Sequence, residues 1–85
     1  MNQLTPQEEA RQTILQMKYT RIIEAMSEMR GINLEQAMDI FYNSQTFNLI
    51  SNGIADLHCR SDQYLAEEIL MEYDEAKSDN GVLNP

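Results

Sequence analysis

Residues 26–37, Met26-Ser27-Glu28-Met29-Arg30-Gly31-Ile32-Asn33-Leu34-Glu35-Gln36-Ala37, end one helix and begin another almost at once. Gly31 follows a basic last turn, and glycine readily takes the left-handed conformation in which helices stop. Two positions on, Asn33 can cap a new helix. Gln36 completes the capping box three residues later, and Ile32 before the cap can staple onto Ala37.

Working back from this junction, Leu15, Tyr19, Ile22, Met26 and Met29 recur at steps of four and three, one apolar stripe of an amphipathic helix. Its start is marked by Thr5-Pro6-Gln7-Glu8: Thr5 caps, Pro6 suits the first helical position, and Glu8 closes a capping box. The first helix is therefore expected over about residues 6–30.

Working forward, Ala37, Met38, Ile40, Phe41 and Tyr42 are expected to form the buried side of a second helix ending near residue 43. Ser44 caps a short third helix holding Phe47, Leu49 and Ile50, which Asn52-Gly53 should end. Ile54, Leu57 and His58 fall in a connector. Ser61 then caps a last helix, with Asp62 in its first turn complementing the helix dipole. Leu65, Ala66, Ile69, Tyr73 and Ala76 share one face of it at helical spacing. No strand-like alternation, internal repeat or low-complexity tract interrupts the pattern. The reading is an all-α, small four-helix domain: a long first helix, two short central helices and an acidic C-terminal helix. Residues 1–77 make the domain, and the polar stretch 78–85 is expected to be a flexible tail.

The chain has 85 residues, enough for one domain with one core and little room for a deep pocket. There is no Trp, so the core leans on aliphatic residues and the six methionines. Fourteen acids against six bases give −8, which disfavours the phosphate attraction behind nucleic-acid binding. Residues 1–60 carry −2 of that charge and residues 61–85 carry −6, so a basic protein surface would be steered to the last helix. A lone cysteine excludes an intramolecular disulfide and hence a stapled secreted scaffold. No apolar run reaches the ~18 residues of a membrane span. The opening residues lack the basic-then-apolar order of a signal peptide, so the expected location is cytoplasmic.

The chemistry-bearing residues do not form a recognisable catalytic set. His58 and Cys59 are adjacent, and neighbours in sequence seldom face one another as a nucleophile and its base must. Two soft ligands fall short of the three or four a zinc site needs. The last helix has many carboxylates but no Glu-x-x-His, and there is no Gly-rich phosphate loop, Ser-centred elbow or calcium loop. The expectation is a non-enzyme with no cofactor and no metal.

Two surfaces stand out instead. Tyr64 and Met71, seven residues apart, align off the Leu65–Ile69–Tyr73 face amid Glu67, Glu68, Asp74 and Glu75. An apolar pair ringed by acids suits a protein partner with a basic surface. The second surface is the Gly31–Gly53 segment, which has the outline of a helix-turn-helix. Gln45, Thr46, Asn48 and Ser51 would be its base readers, but it carries no Arg or Lys for phosphate. A DNA-associated regulator is thus the alternative to a protein-binding module. The stripe on the first helix has coiled-coil spacing over about two heptads, which leaves a homodimer open beside intramolecular packing.

Arg30-Gly31-Ile32-Asn33-Leu34-Glu35-Gln36-Ala37, then Phe41, Leu57-His58 and Ser61-x-x-Tyr64-Leu65, resemble a family of short all-helical bacterial proteins known as a domain of unknown function. The resemblance spans about residues 14–73, and Cys59-Arg60 has no counterpart in it. Members often lie beside genes for proteins of ADP-ribosyltransferase type. The resemblance therefore implies a neutralising or regulatory partner in a two-gene, toxin–antitoxin-like pair, and it supplies no catalytic residues.

Overall fold

A computed structural model describes residues 5–53, 57 and 59–83, with the side chains of 79–83 left aside. Four helices follow in order among them: α1 (Pro6–Arg30), α2 (Leu34–Tyr42), α3 (Gln45–Ser51) and α4 (Asp62–Leu83). The small all-α domain with a long first helix and shorter middle helices is as expected.

The helix ends follow the local chemistry. Thr5 Oγ1 accepts from Glu8 N–H at 3.2 Å, and the Glu8 carboxylate accepts from Thr5 N–H at 3.0 Å. Those bonds hold the Glu8 carboxyl below its ordinary range. Gly31 ends α1 at φ 70°, and its N–H donates to Ser27 C=O. Asn33 and Gln36 form the second capping box, at 2.8 and 3.2 Å. Ser44 Oγ accepts from Phe47 N–H, and Ser61 Oγ accepts from Tyr64 N–H, each at 3.0 Å.

α1 and α4 run parallel. Arg21 meets Asp62, and twelve residues along α4 Arg30 meets Asp74, so both helices advance in the same sense. α2 turns back along α1, and α2 and α3 lie together on one side of the α1–α4 pair. Because α1 begins before α4 and α4 continues beyond α1, the molecule is elongated, 53 × 25 × 24 Å.

Between the layers lies one core. Tyr19, Ile22, Ile23 and Met26 of α1 meet Ala37 and Phe41 of α2, Ile50 of α3, and Leu65, Ala66, Ile69 and Leu70 of α4. Phe41 is its aromatic centre, 5.4 Å from the Tyr19 ring and 5.2 Å from Phe47, at tilts that suit ring quadrupoles. Burial here pushes the Tyr19 phenol above its ordinary value.

Several side chains assigned to the core by periodicity lie outside it. Met38 and Tyr42 are exposed, because a nine-residue helix against two neighbours buries only the arc through Ala37 and Phe41. Met29 and Tyr73 are also exposed, and so is Ala76, which follows Tyr73 towards the far end of α4. Ile23 and Leu70 join the core instead. The backbone of α4 stays helical to Leu83, past the boundary drawn at residue 77. Ile54 and His58 lie outside the described residues.

Candidate protein-docking surface

α4 divides its residues by angle. Leu65, Ala66, Ile69 and Leu70 face inward and are buried. Opposite them, Tyr64, Glu67, Glu68, Met71 and Glu75 recur at three- and four-residue steps and are all exposed. Tyr64 is 43% and Met71 55% exposed, large apolar groups that α4 leaves in water. Glu67, Glu68 and Glu75 enter no ion pair or hydrogen bond among the described residues.

Two of the neighbouring acids have other work. Asp74 receives both guanidinium nitrogens of Arg30, at 2.7 and 2.8 Å, and that bidentate pair holds its carboxyl below the ordinary range. It belongs to the α1–α4 seam as much as to the outer face. Glu72, between Met71 and Tyr73 on the same helix, reaches across to α3. Its carboxylate accepts from the backbone N–H groups of Gln45 and Thr46, and from Thr46 Oγ1 at 2.9 Å. α3 has no acid in its own first turn. Its orphaned N–H groups and the positive end of its dipole are met from α4.

This contact bears on the α2–α3 hairpin as a nucleic-acid reader. A carboxylate already occupies the helix terminus that a phosphate would seek, and the Thr46 hydroxyl is committed to it. The Ser51 hydroxyl donates to Asn48 C=O. α3 is also only seven residues long. Of the four expected base readers, Gln45 and Asn48 make no side-chain amide hydrogen bond among the described residues.

The near end of α4 is electrostatically organised too. Lys18 Nζ pairs with Asp62 Oδ1 at 2.7 Å and donates to Arg60 C=O at 2.6 Å. Arg21 Nε donates to Asp62 Oδ2 at 2.9 Å. Burial pushes the Asp62 carboxyl up, but the two cations outweigh it and leave the group below its ordinary value. The Arg60 guanidinium lies 5.7 Å from the Tyr64 ring centroid, within cation–π range. Tyr64 therefore already holds a cation on its ring.

Cys59 is exposed, and its sequence neighbour His58 lies outside the described residues. No group of three or more potential metal ligands comes together among the described residues. Nor is any of their helices long and apolar enough to cross a membrane. A groove of about 170 Å³ between α2 and α4 is lined by Ile40, Ile69 and Tyr73, and a wider, open one of about 850 Å³ lies between the start of α1 and the end of α3, lined by Arg11, Ile14, Leu15 and Ile50. No family model, curated protein or solved structure matches the chain.

Sequence reasoning placed Tyr64 and Met71 off the buried face, where they are exposed, but missed the bridge from Glu72. The signal available was indirect: a short helix whose first turn lacks an acid needs an anion from elsewhere, and sequence spacing does not say which one.

Proposed function

We propose that this chain is a non-enzymatic protein-interaction module that receives a basic, partly apolar partner surface on the outer face of α4. The observation that carries the reading is the pairing of exposed Tyr64 and Met71 with three uncommitted carboxylates, Glu67, Glu68 and Glu75. An apolar side chain of the partner would cover Met71 and the Tyr64 ring, while Arg or Lys beside it would meet the carboxylates. The acidic last quarter steers such a surface inward before contact. Asp74 contributes less than its position suggests, because engaging a partner would compete with Arg30.

The finer reading is the neutralising or regulatory member of a bacterial two-gene pair acting in the cytoplasm. Its support is the short motif resemblance in residues 14–73, which no family match accompanies, and the acidic character that suits neutralisation of a basic partner.

The test is affinity capture from the source cell with wild type and a Tyr64→Ala/Met71→Ala variant of equal melting temperature. Loss of a stoichiometric partner from the variant alone supports the surface. Equal recovery by both proteins removes it.

A further inference from the structure

α1 and α4 are parallel but staggered, and the stagger leaves each with an uncovered stretch at opposite ends of the molecule. Lys18 and Arg21 are level with Asp62 at the start of α4, so residues 6–17 of α1 have no part of α4 beside them. Arg30, the last residue of α1, is level with Asp74, so residues 75–83 of α4 have no part of α1 beside them. The two overhangs account for the 53 Å length of a body about 25 Å across.

The overhang of α1 carries a groove. Arg11, Ile14, Lys18 and Arg21 follow at steps of three and four along one side of α1. Lys18 and Arg21 meet α4 there, while Arg11 and Ile14 line the groove of about 850 Å³ whose other wall is Ile50 and residues 51–53. The groove thus prolongs the side of α1 that α4 covers. Ile14, Leu15 and Ile50 make it apolar, and among the described residues its one charged wall residue is Arg11. Arg11 enters no ion pair among the described residues, and Glu8, one turn away, is turned into the cap of α1.

We infer that this groove receives the projecting end of α4 from a second copy, so that molecules join head to tail. A copy displaced along the long axis by about the length of α1, ~37 Å at 1.5 Å per residue, brings its residues 75–83 beside residues 7–15 of the next. The two stretches match in length, ~12 Å each. They also keep the parallel sense that α1 and α4 have within one copy, so the contact continues a helix pairing the fold already uses. The incoming end belongs to the acidic quarter of the chain, residues 61–85, which carries −6. Its Glu75 is exposed and unpaired among the described residues, while Lys77 is drawn over the Tyr73 ring of its own helix. An acidic helix end therefore meets a groove whose charge is Arg11. The contact is heterologous: each copy offers a groove at one end and a helix end at the other, and displacement without rotation does not close into a ring. One short helix end covers less than the ~800 Å² per partner of a standard interface, so the association is weak and grows only at high concentration.

Sedimentation velocity of the full chain up to millimolar concentration, with Cys59→Ser to remove disulfide dimers, tests it. The sedimentation coefficient should rise with concentration past that of a dimer. Ile14→Arg places a charge in the apolar groove. Ser78→Pro ends the α4 helix level with the end of α1, because proline removes the N–H that would bond Asp74 C=O. Both positions are exposed and outside the core, and thermal midpoints equal to wild type confirm an intact fold. Each variant alone should stay monomeric. Mixed in equal amounts they should form a one-to-one dimer and nothing larger, since Ser78→Pro supplies an intact groove and Ile14→Arg an intact helix end. A wild-type monomer at every soluble concentration overturns the inference, as does growth of either variant alone or a mixture that stays monomeric. The contact uses neither Tyr64 nor Met71, so its failure and that of the capture experiment are distinguishable.

Discussion

The two faces of α4 both carry large apolar side chains and do opposite things. Inward, Leu65, Ala66, Ile69 and Leu70 are buried against three other helices. Outward, Tyr64 and Met71 are also large and apolar but stay about half exposed, with the Arg60 guanidinium over the Tyr64 ring. The difference lies in what surrounds them. The inner residues are flanked by apolar groups from α1, α2 and α3, so their burial is collective. The outer residues are separated by Glu67 and Glu68, whose hydration keeps that side of the helix open. Stability is concentrated on one face, which leaves the other able to change without cost to the fold.

The strongest way to break the comparison is at the centre of the core. Phe41 is fully buried and meets Tyr19, Tyr42 and Phe47 ring to ring. Phe41→Ala should cost about 3–5 kcal/mol. A domain of this size holds only about 5 kcal/mol or a little more, so the variant should be largely unfolded at 37 °C by thermal denaturation.

Glu72 sits at the border between the two faces and should give the next largest effect. Glu72→Ala leaves the Gln45 and Thr46 N–H groups without their acceptor and should cost about 1–2 kcal/mol, close to the loss of a helix cap. Hydrogen exchange at α3 should quicken more than at α4, since α3 is too short to hold without that anion. Glu72→Gln, which keeps an acceptor but loses the charge, should fall between wild type and alanine.

A smaller effect should come from the seam beneath the outer face. Asp62 and Asp74 are both held below the ordinary aspartate range, Asp74 by the Arg30 pair and Asp62 by Lys18 and Arg21 against the effect of burial. A carboxyl depressed in the folded state contributes stability above its unfolded value, near pH 4, and loses it as pH falls through the folded value. The melting temperature should therefore be flat from pH 7 to about 5 and decline below about 4. In Arg30→Ala the share due to Asp74 disappears, so the acid limb should be shallower than in wild type.

How far the sequence discloses this arrangement depends on whether the deciding contact is local. Thr5 with Glu8, Asn33 with Gln36, and Gly31 are signals within one turn of chain, and each helix start or stop they predict is where it should be. Tyr64 and Met71 were legible for the same reason, because helical spacing alone sets them opposite Leu65 and Ile69. The errors come where a neighbour must be known. Met38 and Tyr42 share the apolar character of α2, and only the direction from which α1 and α4 approach decides that Ala37 and Phe41 are covered instead. Glu72 looks like its fellow acids until α3 is beside it. Ile14 and Met17 were left out of the first-helix stripe, and both are exposed.

The smallest effect on stability is expected where the proposed function is concentrated. Tyr64→Ala/Met71→Ala removes two half-exposed side chains that lie outside the core cluster, so no buried cavity is expected. The change should fall within about 0.5 kcal/mol of wild type by urea unfolding, the range of ordinary surface substitutions. Tyr64 does touch one group, the Arg60 guanidinium, and a cation–π contact in water is worth only about 0.5–1 kcal/mol. A loss well above that would mean that Tyr64 or Met71 supports the chain preceding α4, and the outer face would then be part of the fold's own packing. An unchanged midpoint with altered association leaves the two faces of α4 separable: one fixes the structure, the other is free to meet a partner.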